Sequence, residues 1–259
     1  MRTPLLLTAL TLVLAAPALA AETPSCVGLP DHTDLQTAIK SVTAEENGGL
    51  ALNMWASVVD RSGVVCAVAY SGANEGEQWP GSRVISAQKA NTANAFSLKG
   101  LALSTGNLYS ATQPGGPLFG LQESNPVDTS VAYAGNAADF GTTKDPMTGK
   151  RIGGVNVFGG GLALYNDKGD IVGALGVSGD TSCADHNIAW KVRHGLKLDF
   201  VPAGVAADKT DQIIYDITGG KSAGGYGHPT CGGKEDTIAQ GLPPVSHKAT
   251  EPKKEAPAQ

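Results

Sequence analysis

The sequence predicts an α/β domain in which a largely antiparallel sheet is covered by helices on both faces. Three observations predict it. Two segments read as hairpins, turning at Asp60-Arg61-Ser62-Gly63 and at Asn166-Asp167-Lys168-Gly169-Asp170. One strand, Val64 to Tyr70, is apolar throughout instead of alternating, the pattern of a strand covered on both sides. Helical segments interleave with the hairpins, in the order helix, hairpin, helix, hairpin, helix.

The first helix opens with Thr33 and Gln36, spaced as a capping box. Leu35, Ala38, Ile39 and Val42 follow at helical spacing, and Gly48-Gly49 ends it. Asn53 to Val59 and Val64 to Tyr70 form the first hairpin. The second helix runs from about Ser82, its expected cap, to Leu98. Its small residues suit close packing on a sheet. Residues 100–152 are punctuated by Pro114-Gly115-Gly116-Pro117, Asn125-Pro126 and Asp145-Pro146. The apolar pieces Leu118-Phe119-Gly120-Leu121 and Val131-Ala132-Tyr133 make this an ordered loop. Asn156 to Tyr165 and Ile171 to Val177 form the second hairpin. The third helix follows Gly179-Asp180-Thr181-Ser182 and runs to about Leu198. Its expected buried stripe is Ile188, Val192 and Leu196, which turns its histidines elsewhere.

The ends are distinct. Arg2, an apolar run from Leu5 to Ala16 and Ala18-Leu19-Ala20 form the three parts of a signal peptide. The expectation is cleavage after residue 20 and a periplasmic or secreted protein with no membrane span. After cleavage the chain has 18 basic and 24 acidic residues. That balance argues against nucleic acid and anionic membrane partners. The expected layout is a domain over 21–202 with an insertion at about 125–153, a Gly-rich extension over 203–240, and a disordered tail over 241–259.

Four cysteines in an oxidising compartment imply two disulfides. Three pairings are possible. Cys26–Cys66 with Cys183–Cys231 is favoured, because each bridge ties a terminal segment to the body. No two cysteines lie at zinc-site spacing, and the Cys-x-x-Cys-His motif of covalent haem is absent.

In order, Ser57-Val58-Val59-Asp60-Arg61-Ser62-Gly63, Ile85-Ser86-Ala87-Gln88-Lys89-Ala90, Gly159-Gly160-Gly161-Leu162-Ala163-Leu164 and Gly173-Ala174-Leu175-Gly176-Val177-Ser178-Gly179-Asp180 resemble the GlcG/HbpS-like haem-binding family. The resemblance covers about Thr33 to Val201. It implies a profilin-like, three-layer α/β/α sandwich with a central, largely antiparallel, five-stranded sheet. It also implies assembly into homo-oligomers and non-covalent haem as the ligand, with carrier, buffer, sensor or haem-degrading roles. The chain departs from short members at the insertion, at Cys183-Ala184-Asp185-His186, and at the extension containing His228-Pro229-Thr230-Cys231.

Haem iron is held by His, Cys, Met or Tyr side chains. His186 is the first candidate, in the first turn of the last helix beside Asp185. If Cys183 pairs with Cys231, His228 comes near it. His194 lies about 12 Å further along the helix axis, so it cannot share an iron with His186. Arg83 and Lys89 project from the second helix, as partners for a propionate or as plain surface charges. His247 falls in the tail. The alternative reading is a binder or enzyme for a small organic acid or corrinoid in the same pocket. No catalytic constellation is legible in the sequence.

Overall fold

The computed structural model describes residues 25–246. The expected signal peptide and most of the expected tail, His247 included, lie outside them.

Helix α1 (His32–Thr43) starts two residues before the expected box. Asp31 accepts from the Asp34 N–H, and the Asp34 side chain accepts from the Asp31 N–H. Strands β1 (Trp55–Asp60) and β2 (Val65–Tyr70) form the first hairpin. Asp60 makes its turn by accepting the Ser62 and Val64 N–H groups. Helix α2 (Ser82–Phe96) follows, with Gly81 at the cap and Ser82 already inside the first turn. The connecting region contains short helices α3 (Tyr109–Thr112) and α4 (Thr129–Ala132). Strands β3 (Gly161–Tyr165) and β4 (Ile171–Ser178) form the second hairpin. Helix α5 (Ser182–Gly195) is capped by Thr181. A two-stranded ribbon, β5 (Ile217–Thr218) and β6 (Lys221–Ser222), and helix α6 (Glu235–Gln240) complete the described residues.

The main sheet has the order β2-β1-β4-β3, and all its pairings are antiparallel. Helices α1 and α5 cover one face and α2 covers the other. Alternate residues of β1 therefore enter separate cores. Ala56 and Val58 join Leu35, Ile39 and Ile188, whereas Trp55 and Val59 join Val84, Ala87 and Ala90. That is why these strands read as unbroken apolar runs.

The sheet has four strands where five were expected. Residues 198–201 run beside β3 through the Leu198 and Tyr165 backbone groups, but the pairing amounts to one bridge, Tyr165 with Asp199. Pro202, without an N–H, follows directly. The segment 155–160 also fails to extend β3. The Asn156 and Val157 N–H groups go to the Thr92 hydroxyl and the Gln122 side chain.

The glycines of the second hairpin have a packing reason. A Cβ on Gly176 would strike the Ser86 carbonyl, and one on Gly161 would lie 2.5 Å from the Lys89 carbonyl oxygen. They let α2 lie directly on the sheet.

The insertion is ordered. Its Ala132, Met147 and Ile152 are buried in the core under α2, with Val127, Val131 and Phe140 packed against it. The described start of the expected disordered tail is also attached: Leu242 and Val245 pack on the main core, and the Ser246 N–H bonds Asp199.

Candidate functional site

Both disulfides take the favoured pairing, Cys26–Cys66 and Cys183–Cys231. The second fastens the extension across the start of α5. As a result α5 is buried almost all round, from Cys183 to Trp190. This corrects, for His186, the expectation that the histidines of α5 turn away from the interior. The stripe of Ile188 and Val192 faces the sheet, and the extension covers the remaining surface.

His186 is fully buried. Its Nε2 accepts the Ile213 N–H at 3.1 Å, so the ring proton sits on Nδ1, which has no partner. Burial, then the positive Arg193 and the neighbouring His228, lower its pKa to about 3. The imidazole is neutral and its lone pair is occupied.

His228 lies against the first turn of α5. Its Nε2 is 2.8 Å from Ser182 Oγ, and its Nδ1 is 2.7 Å from the Pro229 carbonyl oxygen. Burial lowers its pKa to about 4. The Tyr109 ring packs against it, tilted by 55°, with ring centres 5.0 Å apart. Ser182 Oγ also accepts the Gly159 N–H at 2.6 Å. A Cβ on Gly159 would strike the Ser182 carbonyl, so only glycine fits there. The ligand atoms of Cys183, Cys231 and His228 lie within 4.8 Å of one another, but both sulfurs belong to the disulfide.

His194 differs from both. Its side chain is 42% exposed, at the far end of α5. Its Nδ1 bonds the buried carboxylate of Asp199 at 2.7 Å. With its Nδ1–H donated to the carboxylate, the neutral imidazole carries its lone pair on Nε2, the arrangement that holds metal-bound imidazoles in place. Leu196, Leu198 and Phe200, which follow it, are only partly buried.

Arg83 and Lys89 are interior residues, not surface charges. Arg83 forms a two-pronged bond with Asp145, at 2.8 and 2.5 Å, and donates to the Ala132 carbonyl. Its guanidinium lies 3.7 Å from the Phe140 ring centre. It clamps the insertion onto α2. Lys89 reaches Asp185 at 2.6 Å and the Val177 carbonyl at 3.0 Å. Burial lowers the Lys89 pKa and raises that of Asp185 to about 6. A third buried pair, Arg193 with Asp211 at 2.7 and 2.8 Å, ties the extension to α5.

Sequence reasoning missed Ser182, Asp199, Asp145 and Asp211. Ser182 carried a signal, since it directly precedes Cys183 and the favoured disulfide sets it near His228. The aspartates carried none.

The fold is that of a mixed α/β domain with an antiparallel four-stranded sheet between helices. The family model described as "Haem degrading protein HbpS-like" matches residues 31–193. The chain belongs to the HbpS-like family. Among solved structures it is similar to Klebsiella pneumoniae protein ORFY, with 25% identity over 63% of this chain and 86% of that one, at a TM-score of 0.43. It is also similar to a PduOC:heme complex, with 24% identity over 63% and 89% and a TM-score of 0.44. A double mutant of Streptomyces reticuli HbpS gives 17% identity over 72% and 97%, with a TM-score of 0.40. No curated protein matches.

Proposed function

We propose that this is an exported haem-binding protein, a carrier, buffer or sensor, with Nε2 of His194 as the donor to iron. The carrying observation is the family match over residues 31–193, which spans the sheet and nearly all of α5. Donor chemistry then selects among the candidate histidines. His186 and His228 have their lone pairs engaged by Ile213 and Ser182. His194 has a free lone pair backed by Asp199. Bound haem would supply the redox and oxygen chemistry; His194 would anchor it and Asp199 would orient the ring.

Export is supported by the amino-terminal sequence pattern and by the two disulfides. Among the described residues no helix is long and apolar enough to cross a membrane. The exposed position of His194 suits a ring held at the surface or between copies of the chain.

Haemin titration followed by absorbance tests this. The expected result is a saturable Soret band at micromolar haemin. His194→Ala abolishes it, and Asp199→Asn weakens binding by about 10–100-fold. Absence of any spectral change, or full binding by His194→Ala, overturns the proposal or its ligand assignment, respectively.

A further inference from the structure

The Ser182–His228 contact lies at the opposite end of α5 from His194, and the haem reading makes no use of it. Hydrogen-bond direction there is forced. The Pro229 carbonyl can only accept, so the proton of His228 sits on Nδ1. Nε2 then carries the lone pair and accepts the Ser182 hydroxyl proton at 2.8 Å. The Gly159 N–H donates to the same Oγ, which leaves that proton aimed at the imidazole. A hydroxyl, a neutral imidazole within reach of its proton and a third group fixing the imidazole are the parts that activate a serine.

The surroundings add two more parts. Ser182 stands in the first turn of α5, where the N–H of the following residue, Cys183, lies at the positive end of the helix dipole. In α/β-hydrolases the N–H of the residue after the nucleophile helps stabilise the oxyanion. Ser182 is itself partly exposed. A groove of about 520 Å³ lies alongside, with Tyr109, the ring packed on His228, and Pro229, the residue after it, among its lining; Ser182 and His228 themselves stand outside that lining.

We propose that Ser182 and His228 form a nucleophile–base dyad that cleaves small carboxylic esters reaching the partly exposed Ser182 hydroxyl. Oγ bonds to the acyl carbon as its proton passes to Nε2. The bond to the leaving oxygen breaks, and that oxygen takes the proton. Water then adds to the acyl-serine, its proton passing through Nε2, and releases the acid and the free hydroxyl. Burial holds His228 neutral throughout the neutral range but makes it a weak base. The reaction is therefore slow and favours good leaving groups.

The test uses the full oxidised chain with a fluorophosphonate probe and p-nitrophenyl acetate. The expected result is one adduct per chain, mapped to Ser182 by peptide mass spectrometry, and ester cleavage lost in a Ser182→Ala variant that still melts cooperatively. His228→Asn labels at least tenfold more slowly. No adduct on Ser182, or wild-type labelling of a folded His228→Asn, overturns the dyad. If His228→Asn does not fold, ester turnover by the wild type against Ser182→Ala decides alone, and equal turnover overturns the dyad. Haemin spectra are a separate readout that neither result alters.

Discussion

At His186 and His228 the interior withholds a proton that water would supply. The unfolded chain protonates each near pH 6.5, the folded chain only near 3 and 4. Between those values the unfolded state binds more protons, so stability is lost as pH falls below about 6.5. At pH 5 this costs roughly 2 kcal/mol per histidine. Asp185 acts in the other direction. Burial raises it to about 6, so the folded state binds the extra proton between 6 and 3.8 and offsets part of the loss. Thermal melts should give a lower Tm at pH 5 than at pH 7.5, with a smaller difference in His228→Gln. Equal differences in the two proteins would contradict this account of His228. The same scale shows where sequence reading stops. Arg83 and Lys89 were expected to pair with a ligand propionate or to be plain surface charges; each is instead buried against a carboxylate of the chain itself. The carboxylates belong to Asp145 and Asp185, 62 and 96 positions away, and no local pattern announces such a partner.

Among the elements, the legible parts are those set by neighbours in sequence. The turns at Asp60 and Asn166 and the helical spacing of Leu35, Ile39 and Val42 all appear where expected. The fifth strand does not, because its pairing depends on where residues 155–160 and 198–201 find hydrogen-bond partners across the fold. The insertion adds a prediction. Asp145 takes both prongs of Arg83 and also accepts the Gly141 and Met147 N–H groups. Asp145→Ala leaves a buried guanidinium unpaired and should cost about 3–5 kcal/mol. Hydrogen exchange should then rise across residues 125–153 before the rest of the chain. Uniform exchange, or a loss below 1 kcal/mol, would show that the clamp is not what holds the insertion.

For the molecule as a whole, the extension behaves as part of the core. Ile213, Asp211 and Glu235 meet His186, Arg193 and Asn187, three polar side chains of α5 that are all buried. The polar face of α5 reads in sequence as a solvated one; only the fold reveals its cover. A chain ending at residue 202 would bare that face, and near-UV circular dichroism should show no cooperative melt. A sharp transition near that of the full chain would mean that residues 21–202 stand alone. There is a consequence for timing. Synthesis runs from the amino terminus, so α5 emerges before the segments that satisfy it. Arg193 waits 18 residues for Asp211, and Asn187 waits 48 for Glu235. The bridge from Cys183 to Cys231 likewise needs a residue made well after the last strand of the main sheet. Completion of the interior is therefore late, and a chain interrupted shortly before residue 231 would be left holding an unfinished interior.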